Sequence, residues 1–213
     1  ITGLDTPIQT LQGAWVPEDG HSASSEMTMR SALRISSNRA AVQMLQQVGI
    51  APTVRYAERL GLGTVPSVPS LALGSGEVTL MSLTAAYSAF ANEGMLPSPT
   101  LIRRVETTDG RVLFNASPRQ DRAISEATAF LMTSMLADVV NSGTAWPARR
   151  VGFMLPAAGK TGTTNAHKDP WVVGYTPHLA TGAWVGYATA ATTTGNGNED
   201  AIHVPPRGRS RRA

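Results

Sequence analysis

The sequence predicts an α+β domain in which a helical cluster precedes an antiparallel sheet. Two observations carry that prediction. Up to about residue 140, apolar residues recur mostly at helical spacing. Three short stretches rich in aromatic, β-branched or small residues then follow one another at 157–164, 171–175 and 180–187. Alternating helices and strands would instead give a parallel sheet. There is no internal repeat.

Each element has its own signature. Residues 1–26 are rich in Pro, Gly and Ser without clear periodicity, and they read as irregular structure. Thr28 reads as the N-cap of a short helix with Met29, Ala32 and Leu33 on one face. Ala41, Val42, Leu45 and Val48 fall at helical spacing within 38–48, and Gly49 stands where a helix ends. Pro52, Val54, Ala57, Leu60 and Gly61 repeat the pattern. Thr79 caps a helix carrying Leu80, Leu83, Ala86, Tyr87 and Phe90, with Gly94 beyond its end. Ile102, Val112 and Phe114 flank Asp109-Gly110, a hairpin turn signal. Ser125 caps a helix over 126–140 with Leu131, Met135, Leu136 and Val139 facing inward. Thr176-Pro177-His178 separates the last two strands. The tail 188–213 is rich in Thr, Gly, Asn and Arg and is predicted to be disordered.

Composition sets limits. A chain of 213 residues with 42% hydrophobic content can bury a core, and its 15% charged content is low. No apolar run approaches the length of a membrane helix. The absence of cysteine excludes disulfides, thiolate metal sites and cysteine nucleophiles. The opening ITGLDTP has neither an initiator Met nor a leader pattern, so the chain reads as a segment whose targeting signals lie outside it. The net charge of +3 does not mark a nucleic-acid-binding body. Four Arg in the tail face Glu199 and Asp200, which leaves 14 basic and 13 acidic groups elsewhere. Among the 18 basic residues only Lys160 and Lys168 are lysines.

Lys160-Thr161-Gly162-Thr163 is the sharpest chemical feature. A phosphate-binding loop would need a glycine at 154, which is Met, and a helix after Thr161. A small-residue edge strand with one exposed Lys is the plain alternative. The functional reading is a strand that binds an acylating substrate. The Lys160 ammonium favours a substrate carboxylate, and the Thr161 and Thr163 hydroxyls donate to it. Gly162 lets a substrate backbone lie flat on the strand. Ser36-Ser37-Asn38 is weaker alone, since Ser and Asn at helix junctions are usually caps. Beside Lys160, Ser36 can relay a proton and the Asn38 amide can hold a substrate carbonyl. His21, His167, His178 and His203 have no metal-ligand spacing, and Trp171 and Trp184 read as packing residues on neighbouring strands.

S-S-N at 36–38 and K-T-G at 160–162 match motifs shared by penicillin-binding proteins and serine β-lactamases. SALRISSNRAAVQMLQQVGI, LALGSGEVTLMSLTAAYSAFANEG, GKTGTTNAHKDPWVVGYTP and GAWVGY extend the likeness over roughly residues 10–187. The chain thus resembles the transpeptidase domain of class A (bifunctional) penicillin-binding proteins. The resemblance implies an incomplete penicillin-binding protein/serine β-lactamase-like fold over 1–187, with 188–213 as a tail outside it. It implies a D,D-transpeptidase that cross-links peptidoglycan stem peptides through a serine acyl-enzyme and is acylated by β-lactams. Ser36, Asn38 and Lys160 then take the catalytic positions, and Thr161, Gly162 and Thr163 the substrate-binding ones.

Stem peptides and β-lactams are the implied partners, with no cofactor, metal, nucleic acid or membrane contact from this segment. The implied location is the outer face of the cytoplasmic membrane or the periplasm, with an anchor upstream. The S-x-x-K nucleophile motif is missing, because the residues three before the two lysines are Ala157 and Asn165. The nucleophile is therefore expected outside this chain, which alone should be inactive. A same-fold β-lactamase or D,D-carboxypeptidase, and a non-catalytic fragment that binds stem peptide, are the competing readings.

Overall fold

The computed structural model describes residues 1–10, 13–19, 24–163 and 170–186. The tail and Lys168, His21, His167 and His203 lie outside the described residues.

The architecture is α+β. Strands β1 (Ile8–Thr10) and β2 (Gly13–Trp15) form a small antiparallel hairpin, and Thr2 bridges Glu26. Residues 1–26, expected to be irregular, thus contain a hairpin. Its strands are three residues long, too short to show a period in sequence. Burial rather than pattern holds this segment, because Leu4 packs with Ala32 and Ala40 in one apolar cluster.

Helices α1 (Met29–Ile35), α2 (Asn38–Val48), α3 (Ile50–Arg59), α4 (Leu80–Ala91) and α5 (Glu126–Ser142) follow the sequence signals. Thr28, Thr79 and Ser125 cap α1, α4 and α5 as expected, each accepting the backbone N–H three residues on. A 3-10 turn spans Pro69–Leu73, and a single turn, α6, spans Pro147–Arg150. Strand β3 (Met95–Pro97) pairs with β6 (Gln120–Arg122), and β4 (Arg104–Glu106) pairs with β5 (Val112–Asn115). One inward assignment is corrected. Leu131 is 58% exposed, because Ala129, Leu136, Val139 and Val140 form the buried face of α5 and Leu131 falls on the other side of the helix.

The site is positioned by an antiparallel sheet of β7 (Ala158–Thr163), β8 (Pro170–Tyr175) and β9 (Ala180–Trp184), in that order. Helix α5 packs along β7, α4 along β9, and α1 along α5. Leu136 of α5, Ala158 of β7 and Tyr175 of β8 form the buried centre, with Tyr87 and Phe90 of α4 against them. The Tyr175 hydroxyl meets Thr133 Oγ1 at 2.9 Å, which satisfies the one polar group of that aromatic ring. Arg30 of α1 donates to the Ser134 carbonyl at 3.0 Å and pairs with Asp138 at 2.6 Å, which fixes α1 on α5. Trp171 and Trp184 pack across β8 and β9 with ring centroids 6.4 Å apart.

Candidate active site

Two serines at the α1–α2 junction divide the work. Ser37 is the N-cap of α2, and its hydroxyl oxygen accepts the Ala40 N–H at 3.2 Å. Ser36 closes α1 in the left-handed region, with φ 59° and ψ 48°. That conformation is uncommon for a residue with a Cβ and frees the Ser36 side chain from capping. The Ser-Ser-Asn motif thus holds a helix cap at Ser37 and, on the adjacent residue, a serine that does not cap α2.

The Lys160 ammonium donates to Ser36 Oγ at 2.7 Å and to the Thr161 carbonyl at 2.9 Å. The structure thus brings together two residues 124 positions apart in the chain. Burial pushes the Lys160 amine down to about 8 from the ordinary 10.5. A lysine near neutrality, bonded to a serine hydroxyl, can pass a proton in either direction. Lys160 sits inside strand β7, which removes the phosphate-loop alternative.

Alternation along β7 places Lys160 and Gly162 on one face and Thr161 and Thr163 on the other. The Thr161 side chain is 6% exposed, and its Oγ1 lies 2.6 Å from Thr144 Oγ1. Thr163 is exposed at the end of the strand. A Cβ built on Gly162 would meet only the Trp171 Cβ, at an ordinary 3.5 Å. The protein's own packing does not demand glycine there.

Asn38 begins α2. One N–H of its side-chain amide goes to the Glu18 carbonyl at 3.0 Å. Sequence reasoning did not single out Asp19. Its carboxylate accepts both the Ser37 hydroxyl and the Asn38 backbone N–H, the latter at 3.0 Å, and so clamps the motif from outside. Thr144 was also missed, since neither residue carries a motif of its own. Among the described residues no group of His, Asp and Glu could hold a metal ion, and no helix is long and apolar enough to cross a membrane.

The transpeptidase-domain model of the penicillin-binding proteins matches residues 5–204. The chain is 33% identical to penicillin-binding protein 1A of Rickettsia typhi over 87% of its length and 27% of the relative. It is 37% identical to penicillin-binding protein 1A of Aquifex aeolicus over 81% of its length and 24% of that protein. The crystal structure of penicillin-binding protein 1A from Haemophilus influenzae superposes with a TM-score of 0.82 at 26% identity, covering 91% of this chain and 35% of the other. The chain spans about a quarter of the length of the curated relatives it matches. A serine and a lysine joined across the helix junction and the sheet, on this fold and with these relatives, have one common explanation: the chain belongs to the penicillin-binding protein transpeptidase domain family.

Proposed function

We propose that this chain is the portion of a peptidoglycan D,D-transpeptidase domain that positions substrate and moves protons around a serine nucleophile. The contact of Lys160 Nζ with Ser36 Oγ at 2.7 Å carries the reading. A serine oxygen attacks the penultimate D-Ala carbonyl of one stem peptide, and the new C–O bond replaces the C–N bond to the terminal D-Ala. The proton lost by the nucleophile reaches the leaving amine through Ser36, whose hydroxyl Lys160 holds in place. An amine of a second stem peptide then attacks the ester, forming the cross-link and releasing the serine.

Asn38 holds the peptide amide with the part of its amide not used by Glu18. Thr163 supplies a hydroxyl for the terminal carboxylate, and Gly162 leaves the space in which the peptide lies. The Thr161 hydroxyl, read from the sequence as a second donor, is turned inward and bonded to Thr144 instead. The Lys160 charge favours the same carboxylate. A β-lactam presents a carboxylate and an acylating carbonyl to the same groups. Peptidoglycan chemistry places the domain on the outer face of the cytoplasmic membrane or in the periplasm, carried by a longer, anchored protein.

No serine stands three residues before either lysine, and the reading assigns the nucleophile to an S-x-x-K motif supplied from outside these 213 residues. Labelling with a fluorescent penicillin, read on a denaturing gel, tests this. The 213-residue chain is expected to remain unlabelled, and a form extended upstream through an S-x-x-K segment to take the label. A label on the short chain overturns the assignment of the nucleophile. An unlabelled extended form overturns the transpeptidase reading.

A further inference from the structure

We infer that Thr144 is a positioning residue that ties the helix junction bearing Ser36 to the strand bearing Lys160. The inference rests on the reading of Ser36 and Lys160 as one site.

Thr144 lies in the turn after α5 and bonds in two directions. Its backbone N–H donates to the Arg34 carbonyl at 3.2 Å, two residues before Ser36. Its hydroxyl meets the Thr161 hydroxyl at 2.6 Å, one residue after Lys160. The turn is held from below. Ala145 donates its N–H to the Val139 carbonyl at 3.1 Å and is buried with Val139 and Val140. It is also held flush against α1. A Cβ on Gly143 would collide with the Arg34 carbonyl oxygen and stand 2.8 Å from Val139 Cα, so only glycine permits this approach.

The consequence is geometric. Strand β7 is bonded to β8 along one edge, and α1 is fixed to α5 by Arg30. Packing of α5 along β7 holds the two bodies together at Leu136 and Ala158. The bond from Thr144 to Thr161 adds a directional tie next to both Ser36 and Lys160. Without it the strand can slide by the tenths of an ångström that separate a 2.7 Å hydrogen bond from none. Water then reaches the lysine.

The two lysines make the test direct. In the full 213-residue chain labelled with lysine carrying carbon-13 at Cε, only Lys160 and Lys168 give signals. Loss of one signal in Lys160→Arg assigns it. In Thr144→Val, which keeps the shape and the backbone N–H but loses the hydroxyl, the Lys160 titration midpoint is expected to rise by about half a pH unit or more. Thr144→Ser should restore the wild-type midpoint. Thr161→Val should match Thr144→Val, and the double variant should add nothing further.

A wild-type midpoint in Thr144→Val overturns the inference. So does a midpoint in Thr144→Ser that matches Thr144→Val, because the methyl rather than the hydroxyl would then be at work. If Thr144→Val does not fold, Thr161→Val decides, and a wild-type midpoint there overturns the inference equally. The titration reads the setting of Lys160 whether or not the extended protein reacts with penicillin, so failure here and failure of the transpeptidase reading remain separate results.

Discussion

Lys160 reaches Ser36 while held at a protonation balance near neutrality by burial. Between pH 8 and 10.5 the unfolded chain keeps the Lys160 proton and the folded chain releases it. Stability therefore rises with pH across that window, relative to a variant lacking the amine. Comparing urea unfolding of the wild type and Lys160→Met at pH 7.5 and pH 10 should show the wild type gaining on the variant, by at most about 3 kcal/mol. A constant difference would place the ammonium in water.

Asp19 carries two hydrogen bonds that fix the Ser-Ser-Asn turn. Asp19→Ala should cost about 1–3 kcal/mol, because each bond to a charged acceptor is worth more than a neutral one. Asp19→Asn should recover only part, since its NH₂ group cannot accept. Chemical denaturation gives the energies, and faster amide exchange at Asn38 would locate the loss.

Two glycines of one strand should respond oppositely. A Cβ on Gly159 would stand 2.8 Å from the Val173 carbonyl oxygen and 2.9 Å from Gly174 Cα, both backbone atoms. Gly159→Ala should destabilise the sheet by about 1–3 kcal/mol. Gly162→Ala has room within the protein and should change stability by under about 1 kcal/mol. It fills the space assigned to substrate, so the extended protein carrying it should label slowly with penicillin. Equal melting temperatures for the two variants would contradict the difference in packing.

Leu136 is 1% exposed and lies against Ala158 and Tyr175 directly behind β7. Leu136→Ala should cost about 2–5 kcal/mol by leaving a cavity there. Thermal unfolding measures it, and a cost under about 1 kcal/mol would show that the core closes over the gap.

Helices α1 to α5 and the last three strands were legible because caps and periodicity are local, whereas the single turn α6 was not. Thr28, Thr79 and Ser125 each announce a helix, and each does cap one. Strands β1, β3 and β6 were not legible, since three residues carry no period and their pairing joins distant segments. The site was half legible. Lys160 and Ser36 stood out by residue type and motif. Asp19 and Thr144 did not, because an aspartate in a loop or a threonine after a helix has no meaning until the fold shows what it touches. The division between Ser36 and Ser37 was likewise invisible, since it depends on the left-handed turn at Ser36.

Ser36 and Lys160 touch in space but stand 124 residues apart in the chain. Their meeting closes a long loop, and closing it costs chain entropy that the packing of the elements between them must offset. A chain caught part-way has a serine and a lysine but no pair. The contact between them is thus absent from unfinished molecules.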